Sequence, residues 1–124
     1  MINERLYKYV SVGGAFLMWA CWTFYINPGS VQSRLFSALC QGAISATATG
    51  LMISSIKVLS KHFNNYLAPA FIVTSITAFF GIFIHFLIGT PKIFATLAPA
   101  VSLALIFSLI TSYNLSKKTA RESV

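Results

Sequence analysis

Four apolar runs, each roughly 20 residues or a little longer, occupy most of this chain and decide what it can fold into. They extend from about Tyr7 to Ile26, Leu35 to Val58, Tyr66 to Ile88 and Ile93 to Leu115. None contains an acidic residue, and Lys8 and Lys57 stand only at run ends. A helix rises about 1.5 Å per residue, so each run is long enough to cross a hydrocarbon core about 30 Å thick.

Composition agrees. Of the 124 residues, 56% are hydrophobic and 9% charged, against about a quarter charged in a soluble domain. The 11 Phe, 5 Tyr and 2 Trp suit lipid as the surrounding solvent, where apolar side chains face outward without cost. The expected fold is therefore an all-α integral membrane protein: one four-helix transmembrane domain, with short cytoplasmic tails at 1–6 and 116–124. The nine basic residues give a net charge of +7, but they gather at run ends rather than forming a basic patch interleaved with aromatics. That placement speaks for membrane topology and anionic headgroups, and against nucleic acid as a partner.

The connections are short and made of turn residues: Asn27 to Ser30 around Pro28 and Gly29, Lys61 to Asn65, and Gly89 to Lys92 around Thr90 and Pro91. Short links force consecutive helices to be antiparallel neighbours, so two hairpins are expected. Arg5, Lys8, Lys57, Lys61, Lys117, Lys118 and Arg121 fall at one end of the bundle, and Arg34 and Lys92 at the other. Because cytoplasmic loops retain positive charge, both termini are expected on the cytoplasmic side of an inner, or plasma, membrane.

The segment Leu17, Met18, Trp19, Ala20, Cys21 has a faint likeness to a lipoprotein cleavage site. Bulky Trp19 fits that poorly, and the run is too long for a typical signal peptide, so it is expected to remain as the first helix. Cys21 and Cys40 lie inside apolar runs and read as buried thiols, or as a bonded pair where the outer helix ends touch.

Shifting the chain by 58 residues aligns the second and fourth runs without a gap, pairing Phe36 with Phe94, Leu39 with Leu97, Ala46 with Ala104, Leu51 with Leu109 and Ser54 with Ser112. A parallel internal repeat of one hairpin is one reading of this. Small residues recur every four positions in both: Ala38, Gly42, Ala46, Gly50 and Ser54, then Thr96, Ala100, Ala104, Ser108 and Ser112. Membrane helices associate where small residues let backbones approach. These stripes make the second and fourth helices the expected packing helices, within the bundle or between copies in a homo-oligomer. The first helix, with Phe16, Trp19, Trp22 and Phe24, and the third, with Phe71, Phe79, Phe80, Phe83 and Phe86, are expected to face lipid.

Polar residues inside the spans are the candidate solute or lipid site. Ser37, Gln41, Ser45 and Thr49 form a second four-residue stripe on helix two. A row of neutral polar groups suits a permeation path; equally, hydroxyls can return to their own backbone and a Gln can bridge helices. His85 closes a stripe with Thr77 and Gly81 near the outer face, where it is placed to meet a headgroup, Gln41 or Asn27. Thr90 suits the N-cap of helix four, with Pro91 opening the helix. Pro99 cannot donate to the carbonyl of Ala95 and is expected to kink the helix over unsatisfied backbone.

The only carboxylates, Glu4 and Glu122, lie in the tails. No paired acids, metal cluster or nucleophilic triad can be assembled from spans that lack them, so neither enzyme chemistry nor a cofactor or metal is expected. The expected function is a small oligomeric protein offering a passive or facilitated path for a solute, ion or lipid. The alternative is a non-catalytic accessory subunit that binds a partner membrane protein or an envelope-lipid complex.

Overall fold

The computed structural model describes residues 3–122, the side chain of Glu4 excepted. It consists of four helices: α1 (Glu4–Ile26), α2 (Val31–Leu59), α3 (Leu67–Ile88) and α4 (Ile93–Glu122). All four are long and apolar enough to cross a membrane, which places the chain among multi-pass membrane proteins.

Local chemistry sets where the helices begin and end. Asn3 Oδ1 accepts from Arg5 N at 3.0 Å, Ser30 Oγ from Ser33 N at 3.2 Å, and Asn65 Oδ1 from Ala68 N at 2.8 Å. Each side chain satisfies a backbone N–H that a helix start leaves without a carbonyl. At the other end of α3, Gly89 takes the left-handed conformation (φ 74°). There Gly89 N donates to Phe86 O at 3.3 Å and Thr90 N to His85 O at 3.0 Å, the paired bonds of a Schellman cap.

The first and last helices run past the expected spans. α4 does not stop near Leu115 but continues to Glu122, and α1 starts at Glu4. The stretch from Ser116 to Glu122 contains no Gly or Pro, and its cations suit the negative end of the helix dipole. Residues 1, 2, 123 and 124 of the tails lie outside the described residues. With 29 and 30 residues, α2 and α4 reach about 45 Å and so extend beyond an apolar core about 30 Å thick.

α1 packs chiefly on α2 and α3 chiefly on α4, while α2 touches all three other helices. Among the described residues α1 and α3 do not meet, so α2 and α4 form the short diagonal. The turns 27–30 and 89–92 share one end of the bundle, here the turn end; the segment 60–66 and the outer ends of α1 and α4 share the other, the terminal end. Gly42 is a socket for Phe16: a Cβ there would stand only 3.0 Å from the ring. Gly81 receives Leu97 in the same way, at 3.3 Å.

The interior is polar where a soluble core would be oily. Thr23, Asn27, Ser37, Gln41, Thr74, His85, Thr90, Thr96, Ser108 and Ser112 are buried, while Phe79, Phe86 and Phe94 are 66%, 72% and 78% exposed. Such inversion is what lipid selects, because burial of Phe against protein gains little there and interhelical hydrogen bonds supply the attraction. An apolar cluster of Met52, Ile56 and Val73 sits nearer the terminal end, flanked by Leu59, Ala104, Phe107 and Leu115.

α1 corrects an expectation. Trp19 is buried, and Phe16, Trp22 and Phe24 are half-buried. They turn inward because Gly42 offers one a socket, a free carbonyl offers Trp22 a partner, and the Arg34 guanidinium stacks 4.2 Å above Phe24. α3 does expose Phe71, Phe79, Phe80, Phe83 and Phe86. The residues aligned by the 58-residue shift do not share environments throughout: Leu39 is 50% exposed and Leu97 6%, and Ser54 is exposed where Ser112 is buried.

Candidate functional site

A chain of hydrogen bonds links α2, α3 and the turn after α3. His85 Nε2 lies 2.7 Å from Gln41 Oε1, and His85 Nδ1 lies 2.7 Å from Thr90 Oγ1. Thr90 Oγ1 is in turn 3.3 Å from Ser37 Oγ, and Gln41 Nε2 donates to Ser45 Oγ at 3.1 Å. The chemistry of the groups directs the chain. An amide oxygen only accepts, so His85 donates through Nε2; in the neutral ring Nδ1 then accepts from the Thr90 hydroxyl, which leaves Ser37 as donor to Thr90. Every bond points the same way, from Ser37 to Ser45, and each polarises the next.

His85 and Gln41 are almost wholly buried, at 0% and 1% exposure. The imidazole therefore occupies the turn-end half of the polar stripe rather than leaving it open. Thr90 serves His85 instead of capping α4, which begins at Ile93. The Schellman cap explains this: it turns Thr90 back over the end of α3, with its backbone and hydroxyl both committed to His85.

Asn27 belongs to a separate cluster. Its Nδ2 donates to Thr96 Oγ1 at 2.8 Å and to Thr23 O at 3.0 Å, and its Oδ1 accepts from Lys92 N at 3.1 Å. Thr96 Oγ1 also donates to Lys92 O at 2.6 Å. Asn27 thus fastens the end of α1 to the start of α4. The Thr23 hydroxyl, buried in the same helix end, has no hydrogen-bond partner.

Pro99 lies elsewhere again, and its expected orphan carbonyl is satisfied. Trp22 Nε1 donates to Ala95 O at 3.1 Å, and α4 runs through Pro99 without interruption. The sequence held a signal for this partnership: a proline in a lipid-buried helix frees a carbonyl four residues earlier, and an indole N–H one helix away can answer it.

Below this polar lock, toward the terminal end, a cleft of about 530 Å³ lies between α1 and α4 over a floor made by α2 and α3. Val10, Gly14 and Met18 form one wall, and Ala100, Ala104 and Phe107 the other; Gln41, Ser45, Thr49 and Thr77 line the floor. The walls are apolar apart from Ser11, and nothing stands within 4 Å of where a Cβ on Gly14 would lie. Thr49 returns its hydroxyl to Ser45 O and Thr77 to Val73 O. Ser45, which accepts from Gln41, keeps a proton to donate.

The packing stripes divide between interior and surface. Ala38, Gly42, Ser108 and Ser112 are buried, Ala46, Gly50, Ala100 and Ala104 half-buried, and Ser54 exposed. Ser108 bridges Thr74 (3.3 Å) and the sulfur of Met52 (2.9 Å), and Ser112 Oγ donates to Tyr66 O at 2.7 Å. These bonds tie α4 to α2, α3 and the start of α3, contacts that spacing alone did not reveal. A second groove of about 840 Å³ runs between α2 and α3, past Ala43, Thr47, Leu51, Ile76 and Phe80. Cys21 and Cys40 are free thiols, the first exposed and the second half-buried.

Compared with protein-family models, curated proteins and solved structures, the chain has no match.

Proposed function

We propose that this chain is a small, non-catalytic protein of the inner membrane, both termini cytoplasmic, that gives a membrane lipid a facilitated path through a cleft between α1 and α4. The observation that carries the reading is the cleft itself: largely apolar walls, a floor bearing the Ser45 hydroxyl, and a polar lock closing its turn end. An ion or hydrophilic solute fits less well, because the turn-end half of the polar stripe is filled by the His85 ring and the walls, apolar apart from Ser11, offer too little to replace hydration.

The lock is made of neutral hydrogen bonds, each worth about 0.5 to 1.5 kcal/mol net, so it can open on the timescale of lipid movement. The orientation is supported by charge: Arg34 at the turn end is tied to Phe24, by a 3.0 Å bond to its carbonyl and by stacking on its ring. The terminal end carries most of the basic residues. The test is transbilayer movement of a headgroup-labelled phospholipid in reconstituted vesicles. Movement above protein-free vesicles is expected, and faster movement with Thr90→Val, which loosens the lock; rates equal to empty vesicles for both proteins sink the proposal.

The groove between α2 and α3 favours a second reading, an accessory subunit or a homo-oligomer. Its exposed Ala43 and Thr47 allow close approach of another helix, whereas Ser45 and Thr49 point into the bundle's own cleft. Purification in mild detergent separates these: a stoichiometric foreign partner supports the accessory role, and a single species of monomer mass removes both.

A further inference from the structure

We infer that the occupant of the cleft is an anionic glycerophospholipid whose acyl chain lies between α1 and α4 and whose phosphate is held at the terminal end by Lys8, Lys117 and Arg121; the inference rests on the cleft being a lipid path. The evidence is the continuation of both walls beyond the cleft. On α4 the wall ends with Phe107 and Ile110, but the helix continues to Glu122. Positions seven and eleven residues further lie on the same face of a helix, and these are Lys117 and Arg121. They stand about 10 and 16 Å beyond Ile110 along the axis, where headgroups lie.

α1 does the same. Its wall residues Ser11 and Ala15 share a face with Lys8, one turn closer to the terminal end. The Lys8 side chain lies against α2 at Gly50, its Cε 3.9 Å from where a Cβ there would be. Lys8, Lys117 and Arg121 are all exposed. With two acidic residues in the chain against nine basic, this end stays positive whatever pairs form. Each such cation near a membrane surface contributes about 1 kcal/mol of attraction to an anionic lipid.

The interior of the cleft settles the orientation of the lipid. No cation lines it, so a phosphate drawn inside would be uncompensated in a low-dielectric space. The donors left on the floor are the Ser45 hydroxyl and the second Nε2 hydrogen of Gln41, both of which suit a neutral acceptor. Charge at the mouth and hydrocarbon within describe a lipid with its headgroup at the terminal end and its chain in the cleft.

Native mass spectrometry of the delipidated full-length chain tests this, with phosphatidylglycerol and phosphatidylcholine of identical acyl chains added in turn. About a hundredfold greater retention of phosphatidylglycerol is expected, as the three cations at the mouth supply. The triple variant Lys8→Gln, Lys117→Gln and Arg121→Gln should retain both lipids equally. Gly14→Phe, and Ala100→Phe from the opposite wall, should each displace both. Equal retention by the unaltered chain, or a preference that survives the triple variant, overturns the anionic assignment while leaving the lipid path standing. Undiminished retention in both plugged variants overturns the lipid path as well.

Discussion

Trp22 and Ala95 are joined across α1 and α4 by a 3.1 Å bond from the indole N–H to the carbonyl that Pro99 deprives of its helical donor. An unpaired carbonyl in hydrocarbon has no water to turn to, so Trp22→Phe should cost about 1 kcal/mol, measured by unfolding in mixed micelles. Pro99→Ala returns an N–H to the same carbonyl, and in that background the cost of Trp22→Phe should largely vanish. An equal cost in both backgrounds means that the indole bond adds nothing.

The His85–Gln41 bond joins two fully buried side chains on α3 and α2. Replacing either by Leu strands the other, so each single variant should lose about 1 to 3 kcal/mol. The double variant should lose less than the sum, with a coupling of about 1 kcal/mol. Strict additivity in the cycle contradicts a direct bond.

Gly42 faces the Phe16 ring with no room for a methyl group. Gly42→Ala should therefore destabilise the α1–α2 contact by about 1 to 3 kcal/mol through overpacking, and Phe16→Leu introduced with it should recover most of the loss. A neutral Gly42→Ala shows that the ring swings aside without penalty.

Topology is open to direct labelling once Cys21 and Cys40 are replaced by Ala. With both termini cytoplasmic, a membrane-impermeant maleimide applied to intact cells should modify Ser30→Cys at the turn end and spare Asn64→Cys at the terminal end. The opposite pattern inverts the orientation and moves the Lys117 and Arg121 mouth to the other leaflet.

The spans could be read from sequence because lipid leaves an apolar run of this length one structure to adopt. Their ends were less legible. Nothing in Ser116 to Glu122 terminates a helix, so hydropathy stopped where the helix did not. Gln41 emerged from its four-residue spacing, but the commitment of Thr90 to His85 depends on the left-handed turn at Gly89, which folds the chain back. Thr90 before Pro91 looked like a helix start for the same local reason that it proved to be a helix end. The inward turn of Phe16 and Trp22 depends on a socket and a carbonyl in other helices, information that no single run contains. Of the partners open to His85, Gln41 on α2 is the one it reaches, while Asn27 on α1 reaches α4.

Thr90 closes α3 with its amide and holds the His85 ring with its hydroxyl, so the link it belongs to has no slack. Epitopes, fluorophores and fusion partners belong in the segment 61–65, where the side chains are exposed and added length costs little. A single residue inserted between Ile88 and Pro91 changes the register of the cap and withdraws the hydroxyl from the imidazole. For anyone building tools from this chain, one of its three loops is a handle and another a keystone.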